Sequence, residues 1–370
     1  MRVALAHDYL VQAGGAERVV AALHRIFPEA PIFTTVADRS VTDALLPGAD
    51  IRTSWMQRLP GLRKHFRKYV LLYPGAVESL DLRGYDLIIS SSSAFAKGVI
   101  PGPGGFHICY CHTPMRFGWN AGSYAEREEW GPAVRWLLPP VTQRLRRWDQ
   151  RTASRVDLYV ANSSVVAGRI ERCYRRPARI IHPPVEVDRL APSATLEDCY
   201  LVVSRLVAYK RIDLAVDAFT RLGRRLVVIG DGPARAALER RAGPSIEFLG
   251  RQPDAVVERY LGRSQGLIFP GEEDFGIVPL EANAAGRPVV AYEGGGALDT
   301  VISGRTGVYI PEQSVAALME AVAQCDQTRW DVPAMRRHAE SFGEGVFRER
   351  ILALVREVMS RRGGVLQASA

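Results

Sequence analysis

Lysine is nearly absent. Of 48 basic residues only Lys64, Lys68, Lys97 and Lys210 are lysines, and the rest are arginine. A codon preference for arginine accounts for the bias, but it makes each remaining lysine worth inspecting. Cysteine is scarce as well. Five cysteines, at 109, 111, 173, 199 and 325, are too few and odd in number for a disulfide-stapled chain, which favours a reducing compartment. The opening MRVALAHDYL has no basic leader, long apolar stretch or small-residue cleavage site, so a strand is expected there rather than a secretory signal. No apolar run approaches the roughly 18–20 residues that cross a bilayer. The chain has no Walker A loop, no metal-ligand His/Cys spacing and no DxD-type acidic pair placed to hold Mg²⁺. The G-x-G-x-x-G fingerprint is also missing, which weighs against a nicotinamide enzyme. Neither a metal nor a bound cofactor is therefore expected.

What is present is ordinary globular composition, 47% hydrophobic and 24% charged, over 370 residues. At roughly 150 residues per domain that length makes about two domains. The net charge of +8 is unevenly placed. Between Asp50 and Glu78 there is no acid, while Arg52, Arg58, Arg63, Lys64, Arg67 and Lys68 all fall there. Such a patch suits an anionic partner: nucleic acid, phospholipid or a phosphorylated substrate.

Short Val/Ile/Leu-rich runs alternate with helical patterns throughout. Strands are expected at 2–7, 31–36, 86–91, 107–111 and 156–162, and again at 200–204, 225–229, 246–249, 266–269, 288–291 and 307–310. Continuous apolar runs suit strands buried on both faces of a parallel sheet. Helices are expected at 16–27, 212–222, 233–241 and 315–324 between them. The alternation occurs twice, which predicts an α/β protein of two doubly wound, Rossmann-like domains facing a cleft. The irregular stretch 182–198, with Pro183, Pro184 and Pro192, reads as the linker. The expected domains are 1–184, completed by a final helix at 344–362, and 185–343.

Five motifs carry chemistry. Gly14-Gly15 follows the first strand and opens a helix, where backbone N–H groups can face an anion; an ordinary glycine turn is the plainer reading. Arg205 and Lys210 follow the strand at 200–204, and two cations there can neutralise a diphosphate without a metal. Surface charge is the alternative, weakened by the scarcity of lysine. The segment Phe269–Ala282 places Glu273 in a loop and Glu281 about one and a half turns into a helix, the spacing E-x7-E. Separated carboxylates of this kind can accept hydrogen bonds from hydroxyls at two places on one ligand. His112, in Cys109–Phe117, ends a strand and can donate a hydrogen bond or exchange a proton; a buried structural histidine is the alternative. Finally, Trp55, Met56, Leu59, Leu62, Phe66 and Tyr69 recur at near-helical spacing, broken by Pro60-Gly61. Basic residues lie between them, the pattern of a segment on an anionic membrane. A core-packed face with a solvated basic side is the other reading.

Together these segments resemble the family-4 retaining glycosyltransferases of GT-B fold. The resemblance runs from HDYL…GGAERVV to the E-x7-E helix and GGALDTVISGRTGVYI. HDYLVQAGGAERVV, SSSAFAKG and YCHTPMRFGW are similar to bacterial mannosyltransferases that build O-antigen and exopolysaccharide units. The resemblance implies that Arg205 and Lys210 bind the donor diphosphate, with Ser204 beside them. It implies that Glu273 holds sugar hydroxyls and Glu281 the nucleotide ribose. Gly14 and Gly15 would approach the diphosphate or the sugar, His112 the transferred sugar, and Gly250-Arg251 the base. Phe275, Gly276, Ile277 and Val278 would line the donor site. Asp299 stands where the family more usually has Glu. The implied donor is GDP-mannose and the acceptor a saccharide on polyprenyl diphosphate. The implied location is the cytoplasmic face of the cell membrane, bound peripherally at Trp55, Arg58, Arg63, Lys64, Arg67 and Lys68. A sugar-nucleotide epimerase of the same fold is the enzymatic alternative. A nucleic-acid-binding protein would share the charge but lacks a reader motif, and no nucleic acid is expected as partner.

Overall fold

The computed structural model describes residues 1–62, 66–119 and 132–368. Two compact units emerge: 1–182 with 347–370, and 183–346.

In the first unit the strands are β1 (Val3–His7), β2 (Ile32–Thr34), β3 (Ile51–Thr53), β4 (Leu87–Ser92), β5 (Phe106–Cys111), β6 (Leu158–Ala161) and β7 (Ala178–Ile180). They form one parallel sheet in the order β3-β2-β1-β4-β5-β6-β7. Alternate residues face opposite layers. Leu5, Leu87 and Ile89 pack on one side with Val19, Val20 and Leu23 of the helix Gly15–Ile26. Ala4, Ala6 and Ile88 pack on the other with Tyr73, Phe95 and Trp148. The edge strands β3 and β7 were not anticipated. Each is three residues long, bears an arginine and is mostly exposed, so neither reads as a buried run. The helix Glu344–Ala368 adds Phe347, Ile351, Leu354 and Val355 to this core, a spacing that places all four on one helical face.

In the second unit β8 (Tyr200–Val203), β9 (Leu226–Ile229), β10 (Ile246–Gly250), β11 (Gly266–Phe269), β12 (Val289–Tyr292) and β13 (Gly307–Ile310) form a second parallel sheet, ordered β10-β9-β8-β11-β12-β13. Leu201, Val227, Leu267 and Val289 face one layer, and Val202, Val228, Ile268 and Val290 the other. These are two Rossmann-like sheets, the domain architecture of the GT-B fold. In each, the strand order reverses between two central neighbours: β1 and β4 in the first unit, β8 and β11 in the second. Helices leave on opposite faces at such a point and open a crevice beyond the strand ends.

The two units divide between 182 and 183, at the start of the stretch 182–198, and the rest of that stretch belongs to the second unit. Val185 pairs with Gly343, and Val185, Val187 and Leu190 lie in the second unit's core. The prolines break its periodicity without exposing it, because its apolar side chains are buried all the same. The segment from Trp55 to Tyr73 is interrupted, as Pro60-Gly61 led one to expect. Among its described residues are the 3₁₀ turns Trp55–Arg58 and Phe66–Tyr69, followed by a helix at Tyr73–Glu78.

Candidate active site

In the second unit the loops after β8 and β11 meet beyond the strand ends. Lys210 closes the 3₁₀ turn Ala208–Lys210, and its ammonium contacts the Glu273 carboxylate directly. Both side chains are largely buried, at 13% and 20% exposure, so the pair is partly shielded from water yet reachable. Glycine permits this approach: a Cβ at Gly271 would lie 2.7 Å from the Lys210 backbone. Gly296, in the loop after β12, donates its N–H to the Glu273 carbonyl at 2.8 Å. A Cβ on Gly296 would fall 2.2 Å from the Phe275 Cα. The GGGALD segment therefore fixes the backbone that carries Glu273.

Arg205 is exposed on the same β8 loop, next to Ser204, whose backbone N–H continues the ladder to Ile229 at 3.0 Å. Glu281 lies on the helix Ile277–Ala284, 14% exposed, with Arg189 3.5 Å from its Oε1. Gly276 precedes that helix, and Ile277 and Val278 open it half-buried. Phe275 does not face outward. It is buried and packs on Phe342, because the turn aims its ring into the core. Gly250 ends β10 and accepts the Gly230 N–H at 2.8 Å, while Arg251 beside it is exposed. Asp299 lies in the helical turn Ala297–Thr300.

In the first unit one chain of polar contacts joins the three segments HDYLVQAGGAERVV, SSSAFAKG and YCHTPMRFGW. The His112 Nε2 lies 2.7 Å from the Ser91 hydroxyl, and the Ser91 carbonyl accepts from His7 Nδ1 at 2.9 Å. His7 Nε2 faces the Glu17 carboxylate at 3.9 Å, and Glu17 accepts the Gly14 N–H at 3.0 Å. Burial alone would push the His7 imidazole down, but Glu17, together with Asp8 and the Ser91 carbonyl, more than offsets this and its pKa stands above the ordinary value. Burial would likewise raise Glu17, and the hydrogen-bonding imidazole instead holds it low. The result is a buried ion pair at the β1–β4 crevice. Gly14 differs from the expectation, since its N–H is taken by Glu17 rather than turned to a ligand. Gly15 begins the helix and is exposed. Asp8, one residue on, accepts backbone N–H groups from Ser93, Ala94, Phe95 and Ala96 at 2.6–3.0 Å. That carboxylate shapes the SSSA turn. His7, Glu17, Ser91 and Arg189 were not singled out in the sequence. Only Glu17 carried a signal, a glutamate three residues after the residue that caps a helix.

Residues 13–189 match the family model Glycosyltransferase Family 4, and residues 197–327 match Glycosyl transferases group 1. The chain belongs to the family-4 glycosyltransferases. It is 30% identical, over 52% of its length, to a GDP-mannose-dependent phosphatidylinositol monomannoside mannosyltransferase of Mycolicibacterium smegmatis, of which the match covers 58%. It is 28% identical to the D-rhamnosyltransferase WbpZ of Pseudomonas aeruginosa, over 55% of this chain and 57% of that one. For the α-1,3/1,6-mannosyltransferase alg2 of Schizosaccharomyces pombe the figures are 27% identity over 63% and 57%. The chain thus spans somewhat over half the length of the curated relatives it matches. Two solved structures share its fold at 17% identity. Anabaena HepE with UDP and glucose has a TM-score of 0.71, covering 96% of this chain and 99% of that one. Sucrose-phosphate synthase of Thermosynechococcus elongatus has 0.72, covering 98% and 100%.

In this family-4 glycosyltransferase the basic segment divides. Trp55 and Arg58 are exposed. Arg63 and Lys64 lie outside the described residues, as do the side chains of Arg67 and Lys68. Phe66 and Tyr69 are half-buried and pack against the core: the Phe66 ring lies tilted against Tyr9 at 4.9 Å, and the Tyr69 hydroxyl donates to the Pro60 carbonyl. Met56 and Leu62 are in the core. Leu59 packs against the same core, so of the six apolar positions only Trp55 is left exposed. Among the described residues no helix is long and apolar enough to cross a membrane, and no group of three or more His, Cys, Asp or Glu stands ready to hold a metal.

Proposed function

We propose that this family-4 glycosyltransferase transfers a sugar, mannose from GDP-mannose, onto a saccharide acceptor with retention at the anomeric carbon. The contact of Lys210 with Glu273 at the β8–β11 crevice carries the reading. It sets a cation and a hydrogen-bond acceptor side by side, which is what a sugar attached to a diphosphate requires. As the glycosidic bond breaks, negative charge grows on the departing diphosphate. Lys210 and Arg205 offset that charge, and preorganised groups do so without reorganisation cost. Glu273 accepts from sugar hydroxyls, and Glu281 from the ribose. His112, oriented by Ser91, meets the transferred sugar. With two cations on the diphosphate, no metal is required. Departure and attack on one face preserve the configuration, and the leaving oxygen takes the acceptor's proton.

The mannosyl specificity is supported by the relatives whose names carry GDP-mannose or mannosyltransferase. The acceptor we assign is lipid-linked, carried on polyprenyl diphosphate at the cytoplasmic face of the membrane, for cell-surface polysaccharide. The acid-free basic segment supports that assignment. The deciding experiment incubates the protein with GDP-mannose, UDP-glucose, UDP-galactose and UDP-N-acetylglucosamine. We expect GDP-mannose to raise the melting temperature and to be slowly hydrolysed. A donor returned as its isomer would favour the epimerase; no effect from any donor would remove the assignment.

A further inference from the structure

Arg189 belongs to none of the sequence motifs, yet its guanidinium meets four carboxylates. Its Nε lies 3.1 Å from Glu186, its Nη1 3.0 Å from both Asp254 and Glu258, and its Nη2 3.5 Å from Glu281. Asp254 and Glu258 stand one turn apart on the helix Asp254–Arg263, a spacing at which like charges repel. Glu281 comes from the next helix, Ile277–Ala284. Four acids thus converge on one cation. Without it, Glu281 would face three like charges.

The turn bearing Arg189 is held firmly. Val187 and Leu190 on either side are buried. Arg336 donates to the Leu190 carbonyl at 2.6 Å and to the Ala284 carbonyl, at the end of the Glu281 helix, at 3.1 Å. One guanidinium thereby ties the Arg189 turn to the helix that carries Glu281. This distinguishes the Arg189 contacts from a loose surface pair, whose geometry is not fixed by packing.

We propose that Arg189 is a positioning residue for nucleotide recognition: it orients the Glu281 carboxylate and offsets the acids around it, so that Glu281 accepts hydrogen bonds from the ribose hydroxyls. The proposal rests on the glycosyltransferase reading given above. A carboxylate binds a pair of hydroxyls well only when it is held in place, and the Arg189 guanidinium 3.5 Å away gives it a fixed neighbour. Its contact to Glu281 is the longest of the four, so the carboxylate is steered without being locked into a tight fork.

The test is calorimetric titration of the full chain with GDP, with UDP and with inorganic diphosphate, which has no ribose. Three proteins are compared: wild type, Arg189→Gln, and Arg189→Gln combined with Asp254→Asn and Glu258→Gln. Arg189→Gln should weaken the better-bound nucleotide about tenfold, the scale of one charge-assisted hydrogen bond. Inorganic diphosphate affinity should not change, and neutralising the two acids should restore most of the loss. Equal weakening of nucleotide and inorganic diphosphate would mean general damage to the domain and overturn the proposal. So would unchanged nucleotide affinity, or a triple variant as weak as the single one. Failure of the wild type to bind either nucleotide would instead overturn the glycosyltransferase reading, and this proposal with it.

Discussion

The Lys97 ammonium lies 3.0 Å from the Asp149 carboxylate, and both side chains are sealed from solvent. It also donates to the Asp149 carbonyl at 2.5 Å and the Thr152 hydroxyl at 2.8 Å. An ammonium has three N–H groups, and here each has an acceptor. Asp149 in turn accepts from the Trp119 indole at 2.7 Å and the Tyr174 hydroxyl at 2.9 Å. This explains a lysine in a chain that otherwise uses arginine: a guanidinium has five donors in a planar fork and would leave some unmet. We predict that Lys97→Met destabilises the protein by about 3–5 kcal/mol, because it leaves a buried carboxylate uncompensated. Lys97→Arg should not rescue it. Urea unfolding followed by circular dichroism measures both, and a loss below about 1 kcal/mol would contradict the account.

Lys210 offers a catalytic counterpart. Lys210→Ala removes a cation from the growing charge of the leaving group and leaves Glu273 without that partner. Turnover should fall about 10²–10³-fold, the scale of losing one preorganised donor, and Arg205→Ala should act in the same direction. Steady-state transfer in the presence of EDTA is the assay. Wild-type rates in both variants would remove these residues from the mechanism. Activity lost in EDTA and restored by Mg²⁺ or Mn²⁺ would show that a metal, not the two cations, serves the diphosphate.

His107 makes stability depend on pH. Burial pushes its pKa down to about 4. The neutral ring is held between the Ser90 hydroxyl at 2.7 Å and the Arg155 carbonyl at 3.1 Å. The unfolded chain takes up this proton below about pH 6.5, while the folded chain resists until about pH 4. Stability should therefore fall as pH drops through that window, by roughly 3 kcal/mol in all. The His7–Glu17 pair has the opposite sign at its histidine, whose contribution is full below pH 6.5 and lost as pH rises through its raised value. Its glutamate contributes above about pH 4.5, and that is lost as pH falls through its lowered value. Stability measured from pH 4 to 7 in wild type and His107→Gln separates the terms. The variant should have the flatter slope, and equal slopes would rule His107 out.

Both sheets were legible because central parallel strands are continuous apolar runs, and because their ends carry the motifs. Glu273 and Glu281 were singled out by their spacing, and Lys210 by its place after a strand and its rarity. Contacts joining distant segments were not legible. Ser91 sits in a run of four serines, and nothing local says which of them meets His112. Arg189 is one of many arginines, and it matters only because the chain folds Asp254, Glu258 and Glu281 around it. The Arg189 turn was assigned to a linker because prolines mask its periodicity, although Val187 and Leu190 are buried. Phe66 and Tyr69 show the reverse error. Helical spacing of aromatics next to basic residues matches a membrane-lying segment and a core-packed one equally well, and here both rings pack inward.

That correction changes how the membrane prediction is framed. The acid-free stretch 51–77 still offers six arginines and lysines to anionic headgroups. Its apolar contribution now comes from Trp55 at 44%, Leu71 at 50% and Leu72 at 38% exposure, not from Phe66 or Tyr69. Each basic residue near an anionic surface is worth up to about 1 kcal/mol, so four in contact would give roughly 4 kcal/mol, about a thousandfold in partitioning. Such binding is reversible and weakens with salt. The wild type should sediment with anionic vesicles at low salt and much less at high salt or with neutral lipid. Arg63, Lys64, Arg67 and Lys68 changed together to Gln should abolish most of the sedimentation while leaving transfer to a short water-soluble acceptor unchanged. Trp55→Ser with Leu71→Ser and Leu72→Ser should weaken it at every salt concentration, because burying apolar surface does not depend on charge. Equal sedimentation of wild type and the Gln variant with anionic vesicles would falsify the basic patch. Equal sedimentation of the Ser variant would confine the attraction to charge and remove the exposed side chains from the interface.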